Sequence, residues 1–210
     1  MTKNTIEIFD KYAFHYQEKF MEMDLYFDTF DFLCSSINKL NPEILEVACG
    51  PGNITKYLQT KRPDFNIIGT DLAPKMLELA KKNIPTANFK LLDCRDIIKL
   101  NQNFDAIVCG FCLPYLPKED TERFIEDSYK ILNPQGVLYL STMEGNYSDS
   151  GYKPPSSGEE KGAYTHYYTR EFLIKMLQNT GFETLKIIKK KYPEPSTDTK
   201  NDIILIAQKL

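Results

Sequence analysis

The sequence has few of the residues from which metal-binding, nucleic-acid-binding or membrane-spanning regions are built. Its 210 residues include only two histidines, His15 and His166, and its net charge is −3. Two histidines without a second cysteine pair give little support for a zinc site. An acidic balance without a broad basic stretch disfavours a nucleic-acid partner. No apolar run approaches the length that spans a bilayer, so we expect no membrane partner. The small number of histidines likewise leads us to expect no metal.

The five cysteines do not form a disulfide framework, because their number is odd and their spacing is irregular. Cys109 and Cys112 have Cys-x-x-Cys spacing, but the pair ends a predicted strand, whereas a redox pair opens a helix. The first residues lead into mixed charge and not into an apolar signal segment. These features together predict a cytoplasmic protein with free thiols.

Hydrophobic periodicity changes near residue 44. Before it, Tyr26, Phe30, Leu33, Ile37 and Leu40 recur at three- and four-residue steps and predict helix. After it, short apolar runs alternate with helical segments, which predicts a parallel sheet covered by helices on both faces, a doubly wound α/β fold. Asn133–Gly136 is predicted to be a turn before a strand at Val137–Leu140.

We expect one domain over residues 1–210. Residues 1–41 are predicted to form an N-terminal helical cap, and residues 42–143 a cofactor-binding core. Residues 144–169, rich in glycine, serine, proline and tyrosine, are a candidate substrate lid, and residues 170–210 are predicted to form a C-terminal helix with two strands. The polar stretch 192–201 is predicted to be the loop between the last two strands.

A glycine loop and an aspartate follow the first two predicted strands. Gly50 and Gly52 come directly after the strand Ile44–Ala48, and Asp71 ends the next strand. Glycines let the backbone approach a ligand closely, and a carboxylate at this position can accept both hydroxyls of a ribose. Taken separately, these features indicate an ordinary turn and a helix cap at Ala73. In register with two strands, they favour a nucleoside-containing cofactor.

The glycine pattern disfavours a dinucleotide. A dinucleotide site carries a third glycine three residues after the second, and Thr55 occupies that position here. The Tyr57-x-x-x-Lys61 spacing lies on the helix that directly follows the loop, which is the wrong place for the catalytic pair of a short-chain reductase. A nicotinamide-dependent reductase therefore remains the less favoured alternative.

Five segments in order resemble the motifs of class I S-adenosylmethionine-dependent methyltransferases. They are Ile44–Gly52, Ile68–Leu77, Leu91–Asp96, Phe104–Val108 and Leu132–Leu138. The resemblance implies a Rossmann-like, seven-stranded, mostly parallel sheet whose last strand is antiparallel, with extra N-terminal helices. It also implies S-adenosyl-L-methionine as cofactor, S-adenosyl-L-homocysteine as product and methyl transfer to a small-molecule acceptor.

The resemblance also assigns candidate cofactor roles residue by residue. Asp71 would bind the ribose hydroxyls, Asp93 would accept from the adenine amino group, and the Cys94 amide would contact the ring. Ala48 stands where many members have glycine. The full set of candidate cofactor residues is Tyr16, Glu46, Ala48, Gly50, Gly52, Asp71, Leu72, Met76, Asp93, Cys94 and Gly110.

The acceptor side is less well defined by the sequence. Methyl transfer from a sulfonium is an in-line displacement in which alignment supplies much of the barrier reduction, so no general base is required in advance. Phe111 and Tyr115 are candidate acceptor-binding residues, as is His166 in its tyrosine-rich segment. No catalytic residue is predicted, and we expect a monomer or homodimer. A protein that binds S-adenosylmethionine without catalysis is the alternative that the sequence leaves open.

Overall fold

The computed structural model describes residues 2–153, 162–191 and 201–210. Seven of its strands form one sheet: β1 Glu43–Val47, β2 Asn66–Asp71, β3 Asn88–Leu91, β4 Phe104–Gly110, β5 Leu132–Met143, β8 Phe182–Lys191 and β9 Asn201–Lys209. Two short strands, β6 Gly151–Tyr152 and β7 Tyr164–Thr165, form a separate ribbon. The candidate lid 144–169 and the predicted loop 192–201 both include residues outside the described ranges.

The strand order of the large sheet is β3-β2-β1-β4-β5-β9-β8. β1 pairs in parallel with both β2 and β4, so the order reverses between these central strands. β9 is antiparallel to β5 and to β8. The predicted Rossmann-like sheet with an antiparallel last strand is confirmed. Ligands of such sheets bind beyond the carboxyl ends of the strands at the point of reversal, here between β1 and β4.

Helices cover both faces of the sheet. They are α1 Lys3–Lys11, α2 Ala13–Phe20, α3 Phe27–Ser36, α4 Asn53–Lys61, α5 Pro74–Asn83, α6 Lys118–Ile131 and α7 Arg170–Thr180. Side chains alternate between the faces of a strand. On β1, Leu45 therefore packs in the cluster that includes α6 and α7, whereas Ile44 packs in the cluster that includes α3 and α4.

The two N-terminal helices pack on α5 and not on the sheet. Ala13 of α2 is buried against Met76 and Leu79 of α5, with Phe9 and Tyr16 beside them. The predicted extra helices are thus present, and they lie next to the carboxyl end of β2, from which α5 follows. No helix within the described ranges is long and apolar enough to cross a membrane.

Two local expectations were wrong. Leu40 does not continue the buried stripe of α3, because the helix ends at Ser36 and the Leu40 side chain is exposed. Asn133–Gly136 is not a turn ahead of the strand but an irregularity within β5. The pairing with β4 moves from Leu132 directly to Val137, and the four intervening residues bulge out of register.

Candidate functional site

The loop after β1 turns through three residues in the left-handed region of backbone conformation. Ala48 has φ 52°, Gly50 has φ 55° and Gly52 has φ 84°. The Cys49 N–H donates to the carbonyl of Thr70, at 2.9 Å, and so fixes the loop to β2. Glycine adopts this conformation freely, whereas alanine does so at a cost in strain. The loop thus keeps its backbone shape at Ala48 even though glycine is absent there.

The Asp71 carboxylate joins the glycine loop to the start of α5. Its Oδ2 accepts the Gly50 N–H at 2.9 Å, and its Oδ1 accepts the Ala73 N–H at 2.8 Å. Burial raises the pKa of Asp71 despite these bonds. An ionised carboxylate offers about four acceptor positions, so Asp71 can accept a further donor besides its backbone bonds.

A cavity of about 520 Å³ lies at the point where the strand order reverses. Nine of the candidate residues line it: Tyr16, Ala48, Gly50, Asp71, Leu72, Met76, Gly110, Phe111 and Tyr115. The fold therefore brings together residues that are up to 99 positions apart in sequence.

Gly110 lines the cavity, and the Ile54 side chain occupies the space that a side chain at Gly110 would take. A Cβ at Gly110 would lie 2.3 Å from Cδ1 of Ile54 on α4. The next residue, Phe111, is left-handed with φ 54°, and its N–H donates to the Ser141 carbonyl at 3.2 Å and to its Oγ at 3.1 Å. A non-glycine residue held in this region is characteristic of functional sites.

Aromatic rings form part of the cavity lining. The Phe9 ring meets Tyr115 edge to face at 5.0 Å between centroids and Tyr16 at 6.0 Å. Burial raises the pKa of Tyr115 to about 12, so its phenol stays protonated at neutral pH. The cavity thus combines a backbone-lined floor bearing one carboxylate with an aromatic wall.

Glu46 and Gly52 lie behind the cavity lining. The Glu46 carboxyl is buried and accepts a hydrogen bond from the Thr55 hydroxyl, and burial raises its pKa to about 8. A Cβ at Gly52 would lie 2.5 Å from Cδ1 of Ile84, so this glycine allows the loop to pack against the end of α5. In this structure, both residues support the loop from behind.

Asp93 and Cys94 also lie outside the lining. The Arg95 side chain donates to the Asp93 carboxylate from Nε at 3.0 Å and from Nη2 at 2.6 Å. Burial opposes the charged form of Asp93, but these bonds outweigh it, so its pKa lies below the ordinary value. Cys94 is buried, with its Sγ 3.6 Å from Sγ of Cys112. The adenine roles of Asp93 and Cys94 remain predictions.

His166 is held next to the cavity wall but does not line the cavity. Its N–H donates to the carbonyl of Pro114 at 2.7 Å, and its ring contacts those of Tyr147 and Tyr164. Its Nδ1 is buried without a hydrogen-bond partner in the part of the chain that the structure describes. Burial lowers the pKa of His166, which favours the neutral ring.

The motif region matches a known family. The profile of the family described as "Methyltransferase domain" matches residues 44–136, which include the glycine loop, Asp71 and Gly110. A trans-aconitate 2-methyltransferase from Variovorax paradoxus is 34% identical over 97 residues, which cover 46% of this chain and 37% of that relative. Over this motif region the chain is similar to methyltransferases. It spans between 28% and 56% of the length of the first three curated relatives that it matches.

Solved methyltransferase structures share the fold over most of the chain. A SAM-dependent methyltransferase from Methanosarcina mazei aligns with a TM-score of 0.72 at 21% identity, covering 85% of this chain and 97% of that one. The 1,6-didemethyltoxoflavin-N1-methyltransferase of Burkholderia thailandensis aligns with a TM-score of 0.73 at 14% identity, covering 97% and 86%. The second alignment takes in nearly the whole of this chain.

Three residues that line the cavity were not predicted from the sequence. Ile6 and Phe9 of α1 and Ala73 at the start of α5 complete the cavity wall. Ala73 directly follows the motif residues Asp71 and Leu72, so its position gave a local signal. Ile6 and Phe9 are three residues apart, a spacing that places them on one face of a helix but does not indicate what the face covers.

Proposed function

We propose that this protein transfers a methyl group from S-adenosyl-L-methionine to a small-molecule acceptor. The observation that carries the proposal is the convergence of Asp71, Gly50 and Gly110 on one cavity at the reversal point of the sheet. The similarity of the motif region to a named methyltransferase supports the same function.

The residues present fit the cofactor. Asp71 lines the cavity and keeps acceptor capacity besides its bonds to backbone N–H groups, which suits a ribose hydroxyl. Leu72 and Met76 offer apolar surface beside it for adenine. The backbone at Ala48, Gly50 and Gly110 leaves room for the methionine portion.

When bound, the cofactor supplies a methyl group made electrophilic by its sulfonium. The chain's own contribution is to hold the acceptor in line with that methyl group and to exclude water. Phe9, Phe111 and Tyr115 would carry this part, because they are aromatic residues that line the cavity. Alignment of this kind lowers the barrier without a dedicated base.

We assign the protein to the cytoplasm, with a small molecule as its partner and without nucleic acid. The five cysteines are all buried and free, which suits a reducing compartment. The sequence pI of about 5.5 disfavours a polyanion partner.

The test has three parts. Mass spectrometry of the ligand that copurifies, followed by calorimetry with S-adenosylmethionine and with NAD(P), identifies the cofactor. Tight binding of NAD(P) without binding of S-adenosylmethionine would contradict the proposal and would favour a nicotinamide-dependent reductase. Formation of S-adenosylhomocysteine with one member of a metabolite panel separates the enzyme from a non-catalytic binding protein.

A further inference from the structure

The helix α1 lies against the cavity and contacts two other parts of the chain. The Phe9 ring meets Tyr115 at 5.0 Å. At the neighbouring residue, Oδ1 of Asp10 accepts the backbone N–H of Lys75 at 2.8 Å, in the first turn of α5. Ile6 and Phe9 line the cavity itself. The helix is therefore a roof with two points of attachment.

The start of α5 depends on side chains from outside the helix. Ala73 stands at its N-cap position and has no side chain that could accept a hydrogen bond. Asp71 takes the Ala73 N–H, and Asp10 takes the Lys75 N–H from a separate helix. A carboxylate at a helix N-terminus is favoured both as a cap and by the helix dipole.

The second contact of Asp10, an ion pair with the Lys75 side chain, contributes little to the attachment of α1 to α5. Its Oδ2 lies 3.9 Å from Nζ of Lys75, and the lysine side chain is half exposed at 51%. An exposed pair at this distance is largely screened by solvent. The backbone hydrogen bond is therefore the main polar contact of Asp10 with α5, and it adds to the packing of Phe9 on that helix.

We propose that Asp10 is a positioning residue that latches α1 over the cavity and thereby slows the release of the cofactor. A ligand beneath Ile6 and Phe9 leaves only after α1 lifts, and lifting α1 breaks the bond between Asp10 and Lys75. Asp10 does not line the cavity, so it acts through the helix and not by touching the ligand. The identity of the ligand rests on the proposed function, whereas the latch is a property of the free protein as well.

Three variants test the latch. Asp10→Ala removes the acceptor, and Asp10→Asn keeps a side-chain oxygen that caps about as well as aspartate. Glu7→Ala is the matched control, because Glu7 is an exposed carboxylate on the same helix whose partner is Lys3, at 3.8 Å. The rate of S-adenosylhomocysteine release from preloaded protein is measured by displacement with excess S-adenosylmethionine.

We expect release about fivefold faster in Asp10→Ala, which is the usual size of the effect of a lost helix cap on an equilibrium. Asp10→Asn and Glu7→Ala should stay within twofold of the original protein. Release from Asp10→Ala at the original rate would overturn the latch. Equal acceleration in Glu7→Ala would overturn it as well, because any acidic side chain on α1 would then suffice.

Amide hydrogen exchange separates failure of the latch from failure of the proposed function. In the free protein, Asp10→Ala should exchange faster at the Lys75 amide and across Lys3–Lys11, whereas Glu7→Ala should leave the Lys75 amide protected. This result would support the latch even if S-adenosylhomocysteine did not bind. Unchanged exchange at both places would refute the latch whatever the ligand proves to be.

Discussion

The N–H of Gly50 donates to Oδ2 of Asp71 at 2.9 Å, so the carboxylate at the end of β2 holds the glycine loop that follows β1. One side chain thus shapes the loop and, in the proposed function, also binds the ribose. Asp71→Ala should weaken the binding of S-adenosylmethionine more than tenfold in calorimetry. Asp71→Asn, which keeps one side-chain oxygen, should bind S-adenosylmethionine with an affinity between those of the original protein and Asp71→Ala. Unchanged affinity in the alanine variant, with the fold intact by thermal unfolding, would refute the role of Asp71.

The buried carboxyl of Glu46 should make stability depend on pH. Its pKa is raised from 4.5 to about 8 by burial, so the folded state keeps a proton that the unfolded state releases above pH 4.5. Its contribution is therefore most favourable below about pH 4.5 and is lost progressively as pH rises to about 8. Each pH unit within this window costs up to about 1.4 kcal/mol.

Glu46→Gln should remove that dependence, because glutamine does not titrate. The free energy of unfolding in urea, compared between the variant and the original protein, should shift by about 2 kcal/mol in favour of the variant from pH 6 to pH 8. Glu126→Gln, at an exposed position on α6, controls for the loss of one carboxyl group. A difference between Glu46→Gln and the original protein that stays constant across this range would contradict the buried, protonated state of Glu46.

Ala48 is strained at φ 52°, and glycine should relieve the strain. The left-handed region costs an L-residue about 1–2 kcal/mol, and glycine loses roughly 0.5–1 kcal/mol of that gain through its freer unfolded chain. Ala48→Gly should therefore stabilise the protein by about 0.5–1 kcal/mol in chemical denaturation. Ala106→Gly, at a buried position on β4, should destabilise it and is the matched control. Destabilisation by Ala48→Gly would show that the methyl group makes packing contacts that outweigh the strain.

The cysteines should be unreactive in the folded protein. All five are buried. Burial raises the pKa of Cys34 to about 11, while hydrogen bonding between neighbouring thiols and burial raise those of Cys94 and Cys112. Since the thiolate is the reactive form, iodoacetamide at pH 8 should leave the native mass unchanged and add five groups in guanidinium. Rapid modification of a native thiol would reopen a redox role for the pair Cys109 and Cys112.

The sequence was sufficient to predict the central strands and the floor of the cavity. Residues at the carboxyl ends of adjacent parallel strands must meet, so Gly50, Asp71 and Gly110 could be placed together from the order of the strands alone. The roof could not be placed in this way. Ile6 and Phe9 reach the cavity because α1 and α2 pack on α5, and that contact depends on tertiary packing between segments about seventy residues apart.

Two predicted residues showed a different limit. The motif position of Asp93 implied a ligand contact, but it did not indicate that a neighbouring side chain would also hydrogen-bond to the carboxylate. Arg95, two residues later, takes both of the Asp93 oxygens. Glu46 likewise bonds to Thr55, nine residues away on α4. A motif indicates the backbone position of a side chain, whereas the neighbouring side chains determine which hydrogen bonds that side chain makes.

The floor of the cavity lies within the family-matched segment 44–136, whereas Ile6, Phe9 and Tyr16 of its roof lie before it. A substitution at Ile6 or Phe9 would reshape the space beside Tyr115 without changing the backbone turns at Gly50 and Gly110. If the proposed function holds, a lineage could therefore exchange one acceptor for another by altering two short helices while the floor of the cavity stayed constant. Because α1 and α2 lie outside the matched segment, changes in these helices could alter which acceptor binds without altering the floor of the cavity.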